Sequence, residues 1–291
     1  MITRALVVTA IAAALGLALS GEPAPAAEKD LSRGGKILLI GDSLFDCGKG
    51  ETRVEKYLTA ALSKMRPGAK FEVVNLARGG MWMGPYDPKG IRGISKPLFE
   101  SETTGWYVQV RKRCPAADAV CIQFGGNDSK VYPPEIFRQK YDRLVDVLAK
   151  DYPGAKIVPC TGVWHDPKHS GRYWRKPSMV KGFKQGDNRN GYLGPFYEQA
   201  RALAAKRGLA LGDIWTRMKN ETAAGNWDLR MRKDGTDDTS KDAGKEGDMS
   251  WFGNVHPSSR GRRVFADVLA KTLLGKPEEA VKAWSKEEAK P

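Results

Sequence analysis

Four short stretches carry groups suited to acyl transfer. Ser43 stands in Gly41-Asp42-Ser43-Leu44, at once after the apolar run 36–40. A serine hydroxyl is a weak nucleophile until a neighbouring base takes its proton. A base is at hand far along the chain: His256, in WFGNVHPSS (251–259), is one of only three histidines. Gly79-Gly80 follows the run 71–77, and a glycine there lets the backbone approach a ligand with no side chain in between. Gly125-Gly126-Asn127-Asp128 follows the run 119–124, where a side-chain amide can donate to a developing oxyanion. Each stretch also has a plainer duty. Ser43 can cap a helix, the glycines can make ordinary turns, and Asn127 or Asp128 can serve the local backbone as an Asx-turn.

These groups need elements to bring them together. Apolar runs at 36–40, 71–77, 119–124, 156–163 and 209–215 read as five strands. Between them, apolar residues recur at helical spacing: Val54, Tyr57, Leu58, Ala61, Leu62 and Met65, then Phe137, Tyr141, Leu144, Val145 and Leu148. A helix over 195–207 precedes the fifth strand, and Phe265, Val268, Leu269 and Leu273 mark a last one. Apolar strands alternating with amphipathic helices predict an α/β fold with a parallel sheet covered on both faces. Ligands of such sheets bind beyond the carboxyl ends of the strands. Ser43, Gly80 and Asn127 all fall there.

Taken in order, IGDSL around Ser43, VVNLARGG ending at Gly80, IQFGGND around Asn127 and NVHP around His256 resemble the four blocks of the SGNH/GDSL hydrolase family. The match runs along essentially the whole chain after residue 27. The resemblance implies a flavodoxin-like three-layer α/β/α domain over 28–291 with a five-stranded parallel sheet. It implies Ser43 as nucleophile and His256 as general base. It implies the N–H of Gly80, the side chain of Asn127 and the N–H of Ser43 as oxyanion-hole donors. No cofactor is implied.

One position departs from the pattern. The family places an aspartate three residues before the histidine, and here that residue is Gly253. A related pattern puts the acid two residues before, where this chain has Asn254. The nearest upstream carboxylate is Asp248. Three readings stay open: Asn254 orients the His256 ring, Asp248 or another acid swings in, or a backbone carbonyl holds the ring in a Ser–His dyad. Replacing the triad Asp by Asn in one serine protease cost about 10⁴ in turnover, so a gap here calls for compensation.

Residues 164–192 and 228–250 break the alternation and are long for connections in a compact domain. The first holds Trp164 and His165 beside further aromatics and basic residues, which read equally as a sugar-stacking substrate loop or as a loop pinned to the body. Asp42 and Trp82 are weaker substrate-binding candidates. Trp82 faces the same choice between lining a pocket and covering the sheet edge. His165 and His169 stand four apart, but Pro167 between them disfavours a helical metal pair, and no metal site is expected.

The first 27 residues join a basic start, an apolar run from Ala5 to Leu19 and the small-residue stretch GEPAPAA. They read as a cleaved signal peptide, which implies a periplasmic or secreted protein with no lasting membrane insertion. The formal net charge of +14 favours acidic partners or is simply a solvated basic surface, and export argues against nucleic acid. Cys47, Cys114, Cys121 and Cys160 allow one or two disulfides, although Cys121 and Cys160 lie in predicted core strands and read equally as buried thiols. Three functions compete. The first is an exported serine esterase acting on, or transferring, O-acetyl groups of a small ester or an acetylated, anionic polysaccharide. The others are a lysophospholipase or thioesterase, and a catalytically silent glycan-binding protein. The sequence leaves the oligomeric state open.

Overall fold

The computed structural model describes residues 28–84, 97–99, 105–165, 189–226, 229, 256–285 and 288. The expected signal peptide at 1–27 lies outside the described residues. Strands β1 (Gly34–Gly41), β2 (Lys70–Asn75), β3 (Ala119–Gln123) and β4 (Lys156–Cys160) form one sheet in the order β2-β1-β3-β4. Every pairing is parallel, with Ile37 opposite Val73, Leu39 opposite Cys121 and Ile122 opposite Pro159. The helices are α1 (Val54–Met65), α2 (Trp106–Arg113), α3 (Pro134–Asp151), α4 (Arg189–Arg207), α5 (Ile214–Ala223), α6 (Ser259–Leu273) and α7 (Pro277–Ala280).

Strand side chains alternate between two cores, as the pleat requires. Ile37, Leu39, Ala119, Cys121, Val158 and Cys160 pack with Leu58 and Leu62 of α1, Ile214 and Met218 of α5, and the apolar face of α6. Leu38, Ile40, Val120, Ile122 and Ile157 pack with Tyr107 and Val110 of α2, Phe137 to Leu148 of α3, and Phe196, Ala200 and Leu203 of α4. Burial on both faces is why the strands read as unbroken apolar runs. The result is the expected three-layer α/β/α arrangement.

The sheet differs from expectation at its edge. The predicted fifth strand at 209–215 survives as a single parallel bridge between Cys160 and Gly212. Gly212 N–H donates to the Pro159 carbonyl at 2.9 Å and Thr161 N–H to the Gly212 carbonyl at 3.1 Å. The ladder cannot extend backwards, because the next donor on that edge would be Pro159, which has no N–H. It cannot extend forwards, because the Asp213 side chain accepts the Thr216 N–H and starts α5 at Ile214.

Two further features follow from local chemistry. Helix α2 shows no helical period in the sequence, because it buries only Tyr107 and Val110. The charged C-terminal stretch after Lys276 is partly docked. Ala280 is buried, and Trp284 packs on the core with the Arg217 guanidinium 5.2 Å from its ring centre. All four cysteines are free thiols, and Cys114, Cys121 and Cys160 are buried. Among the described residues no helix is long and apolar enough to cross a membrane.

Candidate active site

The chain leaves β1 at Gly41 and enters a tight turn. Asp42 collects most of that turn's donors: its carbonyl accepts the Phe45 and Asp46 N–H groups at 3.2 Å each, and its Oδ1 accepts the Leu44 N–H at 2.9 Å. Ser43 is therefore held in the turn, half-buried, and does not cap α1, which begins only at Val54. Among the described residues neither the Ser43 N–H nor its hydroxyl makes a hydrogen bond.

The end of β2 comes alongside. Arg78 N–H donates to the Gly41 carbonyl at 3.0 Å, and Met81 N–H closes a turn on the Arg78 carbonyl at 3.1 Å. Gly80, third in that turn, has φ +77°, the signature of a type II turn and a position that a side chain would strain. A Cβ added to Gly79 would stand 3.9 Å from the Ser43 Cβ, so this turn lies against the serine. Gly79 N–H donates to Asp46 Oδ2 at 2.8 Å. The Gly80 N–H, like that of Ser43, has no partner among the described residues.

The end of β3 supplies the third wall. Gly125 takes φ +123°, and a Cβ there would meet the Tyr197 ring at 3.2 Å. Asp128 fills the plainer role, its carboxylate accepting the Gly125 N–H at 3.1 Å and the Met83 N–H at 2.9 Å. Asn127 does something else. Its Nδ2 donates to the Met81 carbonyl at 2.9 Å and its Oδ1 accepts from Lys130 Nζ at 2.8 Å. The amide is thus fixed at both ends. An amide nitrogen has two hydrogens, and one of the two is left over.

Ser43 and Asn127 line one cavity of about 60 Å³, together with Asp42, Leu44, Gly126, Lys130, Val163, Tyr192, Leu193 and Tyr197. Its electrostatics are set by burial. Desolvation pushes the Asp42 carboxyl up to about 7, helped by nearby Asp128, and pushes Asp128 up to about 6. Tyr197 is fully buried with its hydroxyl unpartnered, and burial holds its pKa well above that of a free tyrosine.

His256 is half-buried, just ahead of α6. The segment after it is tied to the connection that follows Ser43. Arg262 Nη1 donates to the Pro257 carbonyl at 2.8 Å, its Nε to the Thr52 carbonyl at 2.5 Å, and Tyr57 Oη and Ser259 Oγ are 2.5 Å apart. Phe45 and Phe265 meet edge to face at 6.4 Å. The segment after Ser43 and the segment after His256 are therefore packed together. The hydroxyl–imidazole hydrogen bond itself is not made among the described residues.

Asn254 and Asp248 lie outside the described residues, as do His169 and most of 164–192 and 228–250. Trp82 is buried against Val131 and Tyr132, its ring 5.7 Å from that of Tyr132, and it does not line the cavity. Trp164 is half-buried on the core. His165 is fully buried, its backbone clasped by Asn190, which accepts at 2.9 Å and donates at 2.6 Å. Among the described residues no cluster of three metal-binding side chains occurs. Sequence reasoning missed Asp46, Lys130 and the α4 residues Tyr192, Leu193 and Tyr197. The α4 residues are contributed by a helix that follows β4, and no strand-end motif flags them.

No curated protein matches the chain in sequence. Solved structures do. An α/β hydrolase from the metagenome of Lake Arreo, Spain, superposes with a TM-score of 0.51 at 15% identity, covering 84% of this chain and 96% of that one. An acetyl xylan esterase gives 0.48 at 16% identity, with 80% and 97% covered. A Geobacillus acetyl-xylooligosaccharide esterase gives 0.48 at 14%, with 86% and 96% covered. At 15% identity the first of these likenesses speaks to the fold alone. The family match is more specific and spans all the strand-end motifs described above: residues 39–264 match the GDSL-like lipase/acylhydrolase family, and the chain belongs to it.

Proposed function

We propose that this protein is an exported serine ester hydrolase that removes or transfers O-acetyl groups on a carbohydrate or envelope polysaccharide through an acyl-serine intermediate. One observation carries the reading. Three strand ends deliver Ser43, the Gly79-Gly80 turn and Asn127 to a single spot, with a cavity alongside. His256 takes the Ser43 proton as the hydroxyl attacks the ester carbonyl. The bond to the leaving alcohol then breaks as His256 returns that proton to the alcohol oxygen. Water, or a second sugar hydroxyl, releases the acyl group by the same route. The carbonyl oxygen, charged in each tetrahedral intermediate, is held by the N–H groups of Ser43 and Gly80 and the spare Nδ2 hydrogen of Asn127. Such donors matter because they are aimed before the charge appears. Catalytic hydrogen bonds are often long before substrate binds, which accommodates the open Ser43–His256 pair.

The acetyl preference is supported by size. A cavity of about 150 Å³ holds benzene, so about 60 Å³ suits an acyl group of two or three carbons. The excess of Lys and Arg over Asp and Glu, giving +14, suits an acidic polymer. Residues 1–27, read as a cleaved signal peptide, support a location in the periplasm or outside the cell.

A fluorophosphonate probe tests the core of this reading. Labelling of the wild type and none of Ser43→Ala is expected, with ester turnover falling by at least about 10⁴-fold in Ser43→Ala and His256→Ala. Folded wild type that neither labels nor turns over any ester sinks the proposal in favour of a silent glycan binder. A strong preference for long over short acyl esters favours the lysophospholipase or thioesterase reading. Asp248→Ala is expected to keep its activity. A loss as deep as that of Ser43→Ala would make Asp248 the partner of His256. Mass spectrometry of an acceptor glycan incubated with an acetyl donor separates transfer from hydrolysis.

A further inference from the structure

We infer that Asp46 is a positioning residue that locks the oxyanion hole to the nucleophile. The inference rests on the esterase reading of Ser43 and goes on to assign a residue that the family motif does not single out. The Gly80 N–H belongs to the middle peptide of the Arg78–Met81 turn. Both central residues of the turn are glycine, so no side chain of its own fixes where it sits against Ser43, and hydrogen bonds to its neighbours must do so.

Asp46 provides the hold. Its Oδ2 accepts the Gly79 N–H at 2.8 Å, and its own N–H donates to the Asp42 carbonyl at 3.2 Å. The carboxylate is thereby part of the same turn that presents Ser43. A bond to an ionised acceptor is stronger than a neutral one, and no lysine or arginine competes for Asp46 among the described residues. The Gly79 position is itself beside the serine, with a Cβ there 3.6 Å from Asp46 Oδ2 and 3.9 Å from Ser43 Cβ. Asp46 thus sets the distance between the attacking oxygen and the Gly80 donor. Asn75 braces the same joint from β2, its Nδ2 donating to the Phe45 carbonyl at 2.8 Å.

Steady-state kinetics on a short acyl ester test this, with the full-length chain, Asp46→Ala and Asp46→Asn. In Asp46→Ala, kcat is expected to fall 10- to 100-fold with KM within about twofold, because the displaced Gly80 donor acts on the transition state rather than on substrate binding. Asp46→Asn, which keeps an acceptor oxygen in place, should recover kcat to within about threefold of wild type. Should Asp46→Ala fold poorly, Asp46→Leu, similar in size and without an acceptor, takes its place. Active wild type with an indifferent Asp46→Ala or Asp46→Leu overturns the role of Asp46 alone, as does an asparagine variant no better than alanine. Wild type without turnover or fluorophosphonate labelling overturns the esterase reading beneath it.

Discussion

Asp42 precedes Ser43, the proposed nucleophile, and has almost no access to water, so its charge state is a matter of folding as much as of chemistry. Its folded pKa near 7, and that of Asp128 near 6, stand above the ordinary aspartate value of 3.8. The folded protein therefore holds protons that the unfolded chain releases between about pH 4 and 7. Stability from this source is fully present below about pH 4 and is lost as pH rises through 6 and 7. Asp42→Asn, which keeps an acceptor for the Leu44 N–H, should gain stability relative to wild type between pH 4.5 and 8, on the order of a few kcal/mol. Thermal unfolding of both proteins at the two pH values measures it, and a constant gap would contradict it. At Gly80, φ +77° makes Gly80→Ala cost about 1–2 kcal/mol. With Asn127 as a proposed oxyanion donor, Asn127→Ala should lower kcat by about 10²–10³-fold in steady-state kinetics, the usual result of removing one such donor.

At the scale of elements, α5, α6 and α7 are joined through one buried guanidinium. Arg217 is fully buried and pairs with Glu221 at 2.7 Å and Asp267 of α6 at 2.9 Å, while its Nη1 also reaches the Ala280 carbonyl at 2.9 Å. Trp284 covers it from above, and the Trp284 N–H donates to Glu221 Oε1 at 2.9 Å. Truncating Arg217 strands a buried carboxylate, which is the expensive way to break such a pair. Arg217→Ala should destabilise the fold by about 3–5 kcal/mol in denaturant titration and leave the ester KM unchanged in the remaining folded protein. A loss under about 1 kcal/mol would show that the network is not the tie it looks to be. Closer to the site, Gly162 leaves room for α4: a Cβ there would stand 2.1 Å from the Tyr197 hydroxyl.

For the whole molecule, the surplus of positive charge acts at a distance. If the substrate is an acidic polysaccharide, kcat/KM should fall as salt rises from about 0.01 to 0.5 M, because the Debye length shrinks from about 30 Å to a few ångström. Turnover of a small neutral ester should stay flat over the same range. Equal salt responses would remove the anionic polymer from the proposal while leaving the serine chemistry intact. The shape of the fold assists in either case, since the strand ends that carry the candidate residues open to one side of the sheet.

The sequence by itself determined the layering and the motif positions, because a strand buried on both faces must be apolar and a strand end at a ligand must carry glycine and polar residues. It also showed His256 ahead of its helix. It did not show that the fifth strand is cut to one bridge, since that depends on Pro159 lacking a donor just where Gly212 comes alongside. Nor did it show Asp46, whose carboxylate matters only because the turn after β2 folds back onto the turn after β1. Tyr192, Leu193 and Tyr197 reach the cavity from α4, far along the chain from every motif. Local pattern fixes which residues form an element; only packing fixes which elements share a wall.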